Sequence, residues 1–426
     1  MKNRTNDGPC IQPASQPFGA TDYTSEATYR TSRFPVEAAV TLIPEAYTSA
    51  EFFTIEQERV FGNSWIAVGC TSQVQKPRDV LVVSVGGQSI IVSRNKNGEL
   101  KAFYNVCRHR GTKMLEEDCR KLNSSLIRCP YHSWTYDLDG ACTNTPMFEN
   151  KDQSKHPKNI FEQIDAEPFD RKNYGLFPVK VASWGFLIFI NLNENAEPLE
   201  KQLGDLPHRF ANYCLEEWKI VREKEFVFNA NYKLVGENFM ECYHLPWIHP
   251  ELIKVSRVED HYRWQGTGMY TGMTTKPISS NTKTGGWMGL PPVHGLQGSN
   301  QNSGRFVWIF PNIAISVLPN HCFVMLTQPK SPSYTIEQTW LLCHPESLNS
   351  EQAEAELDQL TEFWSLVNNQ DISIVEKVQA GVSMKPYRGG RMCFHFEEPL
   401  HRFQNMIIDK MTGIERIPEG DTEETR

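Results

Sequence analysis

Residues 105–134 open with Asn105-Val106-Cys107-Arg108-His109-Arg110-Gly111 and close with Cys129-Pro130-Tyr131-His132-Ser133-Trp134. Each end carries one thiol and one imidazole, spaced C-x-H and C-x-x-H, and the residues between them read as most of a hairpin. Two loops that each give one thiolate and one imidazole can clasp a metal centre from both sides. Such a set suits either a tetrahedral zinc or a [2Fe–2S] cluster in which a histidine pair replaces a cysteine pair on one iron. Zinc fingers keep their two cysteines together and their two histidines together. Here the types alternate, so Cys107 and Cys129 can bind one iron while His109 and His132 bind the other. Neutral imidazoles in place of thiolates raise the potential of such a cluster. Cys119, Cys142 and Cys242 have no histidine in a matching frame and read as small buried hydrophobes.

Around this segment the apolar period is two. Val80 to Val85 and Ser89 to Ser93 flank Gly86-Gly87-Gln88, Asn95-Lys96-Asn97-Gly98 makes a further turn, and Ala102 to Val106, Leu126 to Arg128 and Trp134 to Tyr136 continue the pattern to the turn Asp137–Gly140. The Cys/His pairs are therefore expected on loops of a small antiparallel β domain. Thr48-Ser49-Ala50-Glu51 has the form of a capping box, which starts a short amphipathic helix there, with Gly62 as its stop. Residues 1–35 form a polar arm without an assigned element. The expected division is an N-terminal arm at 1–45, a cluster-bearing domain at 46–185 with its leading helix, and a larger domain at 186–426.

The second region opens with the apolar strand Phe186 to Ile190 and mixes types. Residues 231–245 read as a helix, Phe306 to Leu318, Cys322 to Leu326 and Ile336 to Leu342 as strands, and Glu351 to Ala380 as a long helix. Residues 256–305, rich in Gly, Ser, Thr and Asn with scattered aromatics, are too long for a plain connection and read as a functional loop or lid. The chain is α+β, with a central antiparallel sheet in the larger domain.

Residues 231–250 contain His244-x4-His249, with Glu241 three residues before the first histidine. On a helix Asn238, Glu241 and His244 share one face, which makes Asn238 and Glu241 candidate catalytic residues. Pro246 is expected to break the helix and let His249 swing back toward His244. Two histidines and a carboxylate make the facial triad of a non-haem Fe(II) site, with the remaining positions open to O2, water or substrate. The candidate carboxylate is Asp371. It falls on the stripe Leu357, Leu360, Trp364, Val367, Asp371, Ile374, Val378 of the long helix, a face that should be buried, where a lone charge is costly unless paired or bound to metal.

Across residues 45–415 the Cys/His frames, the Asn231-Tyr232-Lys233 to His249 segment and the Asp371 helix resemble the α subunits of Rieske non-haem iron oxygenases. The resemblance implies a small Rieske domain joined to a helix-grip-like catalytic domain, a Rieske [2Fe–2S] cluster, one mononuclear Fe(2+), and electrons from NAD(P)H through a separate flavin or iron–sulfur reductase. It also implies a head-to-tail homotrimer, in which the cluster of one chain lies near the iron of its neighbour. A carboxylate bridges the two histidines that link them, and that position falls on Glu241. The phrase Glu241-Cys242-Tyr243-His244 with His249-Pro250, and the tail Gly381-Val382-Ser383 through Tyr387-Arg388-Gly389, are similar to the branch that oxidises carnitine, choline and glycine betaine. Hydroxylation of such a substrate beside nitrogen leads to C–N cleavage or demethylation. A cationic substrate could lie on aromatic faces, with Trp264, Tyr270, Trp287, Phe306 and Trp308 as candidates. The alternatives are an aromatic-ring dioxygenase and, from another class, a pure Rieske electron carrier or zinc-stabilised binding protein.

At 426 residues the chain is about three times a typical domain. A formal charge of −8 gives no basic stripe for nucleic acid. No apolar run approaches the roughly 18 residues of a membrane span, and the first residues lack a secretory signal's apolar centre. Eleven cysteines, scattered from Cys10 to Cys393, do not look like a disulfide framework. These features predict a protein of the reducing cytoplasm without nucleic-acid or membrane partners. No Gly-x-Gly-x-x-Gly follows a strand, so a nicotinamide or flavin site is expected on another protein.

Overall fold

The computed structural model describes residues 21–148, 169–279, 286–349 and 351–421. Two sheets form the cluster-bearing part. The larger has six antiparallel strands in the order β1-β9-β8-β4-β3-β2: β1 (Ile66–Cys70), β2 (Val80–Val85), β3 (Gln88–Arg94), β4 (Leu100–Tyr104), β8 (Pro178–Trp184) and β9 (Leu187–Asn191). The smaller joins β5 (Leu126–Arg128), β6 (Thr135–Asp137) and β7 (Cys142–Asn144). The β2–β3 turn is the two-residue Gly86-Gly87, with both φ values positive, at 56° and 73°, as a twist-matched hairpin requires. Between the sheets Val80, Val82, Ile91, Phe103, Ile127, Trp134 and Tyr136 form a separate core.

The strand expected to open the second domain belongs to the first. β9 pairs residue by residue with β1 and β8 (Ile190 with Ile66, Phe189 with Ala182), so a division at residue 186 would cut this sheet. The leading helix is also shifted. α1 (Glu45–Thr48) precedes α2 (Ala50–Glu56). The cap of α2 is Ser49, whose Oγ accepts the Phe52 N–H at 3.2 Å, while Thr48 turns its hydroxyl back to the Pro44 carbonyl. Gly62 ends the element as expected, its N–H reaching the Gln57 carbonyl. The part of the arm described is folded: Tyr29 is fully buried, and Arg33 pairs with Asp409 at 2.6 Å.

The larger part is a seven-stranded antiparallel sheet in the order β10-β16-β15-β14-β13-β12-β11. Its strands are β10 (Lys219–Phe228), β11 (Tyr262–Trp264), β12 (Tyr270–Thr275), β13 (Gly304–Ile309), β14 (Ile313–Val317), β15 (Cys322–Ser331) and β16 (Tyr334–Cys343). Strand alternation splits its side chains between two cores. Cys322, Val324 and Leu326 join a core with α3 (Leu199–Leu203) and α4 (Leu206–Arg209). Phe323 and Met325 face α5 (Tyr232–Phe239), α7 (Ala353–Val382) and α8 (Glu398–Thr412). The described part of 256–305 is therefore no plain lid, because β11 and β12 are the last two strands of this sheet, β11 at its edge. α5 lies close over β13 because residue 236 is glycine: a Cβ there would meet the Trp308 ring at 2.7 Å. The two parts are joined by a fully buried ion pair, Glu56 of α2 with Lys233 of α5, at 2.7 Å. Among the described residues, no helix is long and apolar enough to cross a membrane.

Candidate functional site

The two Cys/His loops fold alike. Gly111 N–H bonds to the Cys107 carbonyl at 3.0 Å and Ser133 N–H to the Cys129 carbonyl at 3.1 Å, while Cys107 and Cys129 each donate their own N–H five residues on, to Thr112 and Trp134. Closing each loop takes a positive φ at its fifth residue, 72° at Gly111 and 59° at Ser133. Glycine adopts this freely; serine does so at a cost. The result places His109 Nδ1 3.2 Å from His132 Nδ1. Two nitrogens bound tetrahedrally at about 2.0–2.1 Å from one metal would be about 3.3 Å apart. Cys107 and Cys129 lie behind them and are buried. The donor set thus fits a [2Fe–2S] cluster with thiolates inward and imidazoles outward. Burial pushes the Cys107 thiol up, against a hydrogen bond from Tyr136. Burial, His132 and Arg110 hold the His109 ring below its ordinary value, hence neutral. Trp134 stacks on His109 with centroids 5.0 Å apart and planes at 7°. The histidine edge reaches the surface, where Tyr131 is 58% and Phe148 48% exposed.

The second group is assembled by a helix that ends early. α5 was expected to run through Glu241 and break at Pro246; it stops at Phe239. The Glu241 carboxylate accepts the backbone N–H groups of Tyr243 and His244, donors that a continuing helix would have sent back to Phe239 and Met240. This local turn outcompetes the helix. Pro246 sits in the first turn of α6 (Leu245–Ile248), where its missing N–H costs nothing. His244 and His249 flank this single turn, with rings 5.1 Å apart. Asp371 reaches them from α7, its Oδ1 being 2.9 Å from His249 Nε2 and 3.6 Å from His244 Nε2.

One ligand atom from each of His244, His249 and Asp371 lies within 4.8 Å of the others, which fits one metal ion. The opposite ring nitrogens are held: His244 Nδ1 by Glu241 at 2.5 Å and His249 Nδ1 by Gln370 Oε1 at 2.7 Å. Because both partners accept, each Nδ1 carries the proton and each Nε2 keeps its lone pair for a metal. Asn238 Nδ2 is 3.5 Å from His244 Nε2.

These residues border a cavity of about 80 Å³ whose walls include Trp287, Phe306, Phe323 and Trp364. Phe323 and Trp364 stack at 4.7 Å with planes at 5°. Of the five aromatics proposed to receive a cation, Trp287 and Phe306 are here. Trp264 and Tyr270 pack into the opposite core, Tyr270 donating to Asp205, and Trp308 lies under Gly236. Sequence reasoning missed Gln370, His261 and Phe323. Only Phe323 carried a signal, its alternation with Cys322 and Val324 placing it on the helix-facing side of β15.

Comparison with known proteins agrees with both centres. Residues 64–160 match the Rieske [2Fe–2S] domain, and residues 215–413 match the catalytic domain of the ring-hydroxylating α subunit. The carnitine monooxygenase oxygenase subunit of Acinetobacter baumannii is 29% identical, over 80% of this chain and 85% of its own length. The glycine betaine monooxygenase oxygenase subunit of Pseudomonas aeruginosa is 26% identical, over 86% and 87%. The crystal structure of the quaternary ammonium Rieske monooxygenase CntA with L-carnitine superposes with a TM-score of 0.71 at 26% identity, covering 88% of this chain and 96% of that one.

Proposed function

Because this chain belongs to the Rieske-type ring-hydroxylating oxygenases, joining a Rieske domain to an α-subunit catalytic domain, we propose that it is the terminal oxygenase component for a quaternary or N-methylated amine. Its electrons come from a separate reductase. Cys107, His109, Cys129 and His132 would hold the cluster, and His244, His249 and Asp371 the mononuclear iron. When bound, the cluster supplies single electrons and the iron activates O2. The protein's own part is to orient. Glu241 and Gln370 fix the two imidazoles, Asn238 stands beside the open side of His244, and the aromatic walls exclude water and hold the substrate.

The observation that carries the amine reading is the set of aromatic faces in one cavity, Trp287, Phe306, Phe323 and Trp364, with no Lys or Arg among the described lining residues. An ammonium is attracted to ring faces within about 6 Å. Hydroxylation of an N-methyl carbon gives a hemiaminal that releases formaldehyde and the demethylated amine.

A head-to-tail trimer is part of the proposal. It is supported by two exposed aromatic surfaces, Tyr131 and Phe148 at the cluster edge and Tyr243 and Trp247 beside Glu241, the last 79% exposed. We place the domain division after β9, and the chain in a reducing cytoplasm, which suits a pair of thiolate ligands, Cys107 and Cys129. The test is O2 uptake with a compatible reductase. Choline, glycine betaine or carnitine should stimulate it and simple aromatic acids should not; stimulation by the aromatic acids alone would reject the amine reading.

A further inference from the structure

One polar cluster in the cavity wall takes no part in holding either metal. Ser256 Oγ bonds to Thr275 Oγ1, and Thr275 Oγ1 lies 3.4 Å from His261 Nδ1. His261 Nδ1 also lies 2.8 Å from the Arg257 carbonyl. A carbonyl only accepts, so Nδ1 carries the proton and Nε2 the lone pair. Burial holds the ring below its ordinary value, outweighing the Arg257 and Val258 backbone hydrogen bonds and the Asp260 and Glu259 carboxylates, so the imidazole is neutral. All three side chains line the cavity that also contains the aromatic walls, Glu241 and Asp371. Apart from the metal set, the wall thus offers a substrate a neutral acceptor, with two hydroxyls on the same wall.

We propose that His261 Nε2 accepts a hydrogen bond from a hydroxyl group of the substrate, so that the site selects an ammonium compound with a hydroxyl-bearing tail, of the choline type, over one ending in a bare carboxylate. The inference rests on the amine reading above and narrows it. With the cation against the rings, a two-carbon tail ending in O–H can give its proton to the lone pair. A carboxylate in the same place has no proton to give. It would meet the lone pair of His261, and among the described lining residues no Lys or Arg is there to hold it.

The experiment compares dissociation constants, by calorimetry on the metal-loaded protein without reductant, for choline, trimethylpropylammonium (the same length without the hydroxyl) and glycine betaine. Wild type should bind choline about tenfold tighter than the propyl compound, the worth of one neutral hydrogen bond, and betaine more weakly than either. His261→Ala should remove the choline preference while the propyl compound binds as before, and His261→Gln, which keeps an acceptor, should restore part of it. Unchanged cluster absorption and iron content establish that the variants are folded. Equal binding of choline and the propyl compound by wild type, or a preference that survives His261→Ala, or betaine as the tightest ligand, would overturn the inference alone. Failure of wild type to bind any of the three would overturn the amine reading and the inference with it.

Discussion

Tyr136 touches the cluster site twice: its hydroxyl lies 3.3 Å from Cys107 Sγ and accepts the Arg108 N–H at 3.0 Å. With the backbone N–H supplying one proton, the phenol's own proton is free to point at the sulfur. A hydrogen bond to a ligating thiolate stabilises the reduced cluster less by shape than by charge, and is worth about 1 kcal/mol. At about 59 mV per tenfold for one electron, Tyr136→Phe should lower the cluster potential by on the order of 50 mV in a redox titration, with the absorption spectrum retained. Glu241 presents a sharper case. It holds His244 Nδ1 within its own chain, and its proposed second partner is a cluster histidine of the neighbour. Glu241→Gln keeps the shape and removes the charge, so iron content should stay normal while reoxidation of the reduced cluster by substrate and O2 slows at least tenfold. A normal rate would leave Glu241 a local turn residue. The ligand types themselves were legible in the sequence, because Cys and His at fixed spacing carry chemistry in their identity. Gln370 and His261 were not, since a glutamine beside an aspartate and a lone histidine gain meaning only from what the fold sets against them.

At the scale of elements, α7 does two tasks from adjacent positions. Asp371 points to the histidines, and Gln370 holds His249 from the side. Asp371→Ala should lose the mononuclear iron and keep the cluster spectrum. Gln370→Ala should bind that iron about 10–100-fold more weakly, as loss of an outer hydrogen bond to a ligating histidine does; metal competition on the two proteins measures both. One turn before Asp371, Asn368 bonds at 2.7 Å to Glu337 of β16, which is fully buried. Burial pushes the Glu337 carboxyl up to about 8, Asn368 opposing and Asp371 adding to the shift. An unfolded Glu titrates near 4.3. Between those values the folded chain keeps a proton that the unfolded chain has lost, so stability falls as pH rises through this window and levels off above it. The thermal midpoint should drop from about pH 5 to about pH 8, and Glu337→Gln should flatten that slope; an unchanged slope would show that Glu337 is not its source. α7 was readable because its apolar stripe is long and regular. The ends of α5 and α6 were not, because a side-chain turn at Glu241 decided them, and propensity carries no trace of that competition.

For the whole molecule, a small β part followed by a larger α+β part was foreseeable from the change of apolar period, while the position of β9 was not. An apolar strand reads the same whichever sheet receives it, and only pairing with β1 and β8 assigns it. The parts are also tied by Glu56 and Lys233, both wholly inside, with Tyr232 adding a hydrogen bond at 3.0 Å to the same carboxylate oxygen. During synthesis the two partners are separated by 177 residues. At about 5–20 residues per second, Glu56 leaves the ribosome roughly 9–35 s before Lys233 does. Through that interval the leading helix must either stay open or bury an acid with no cation. The N-terminal half is thus kept waiting for the C-terminal half, and a chain cut short between them is left with a burial it cannot complete.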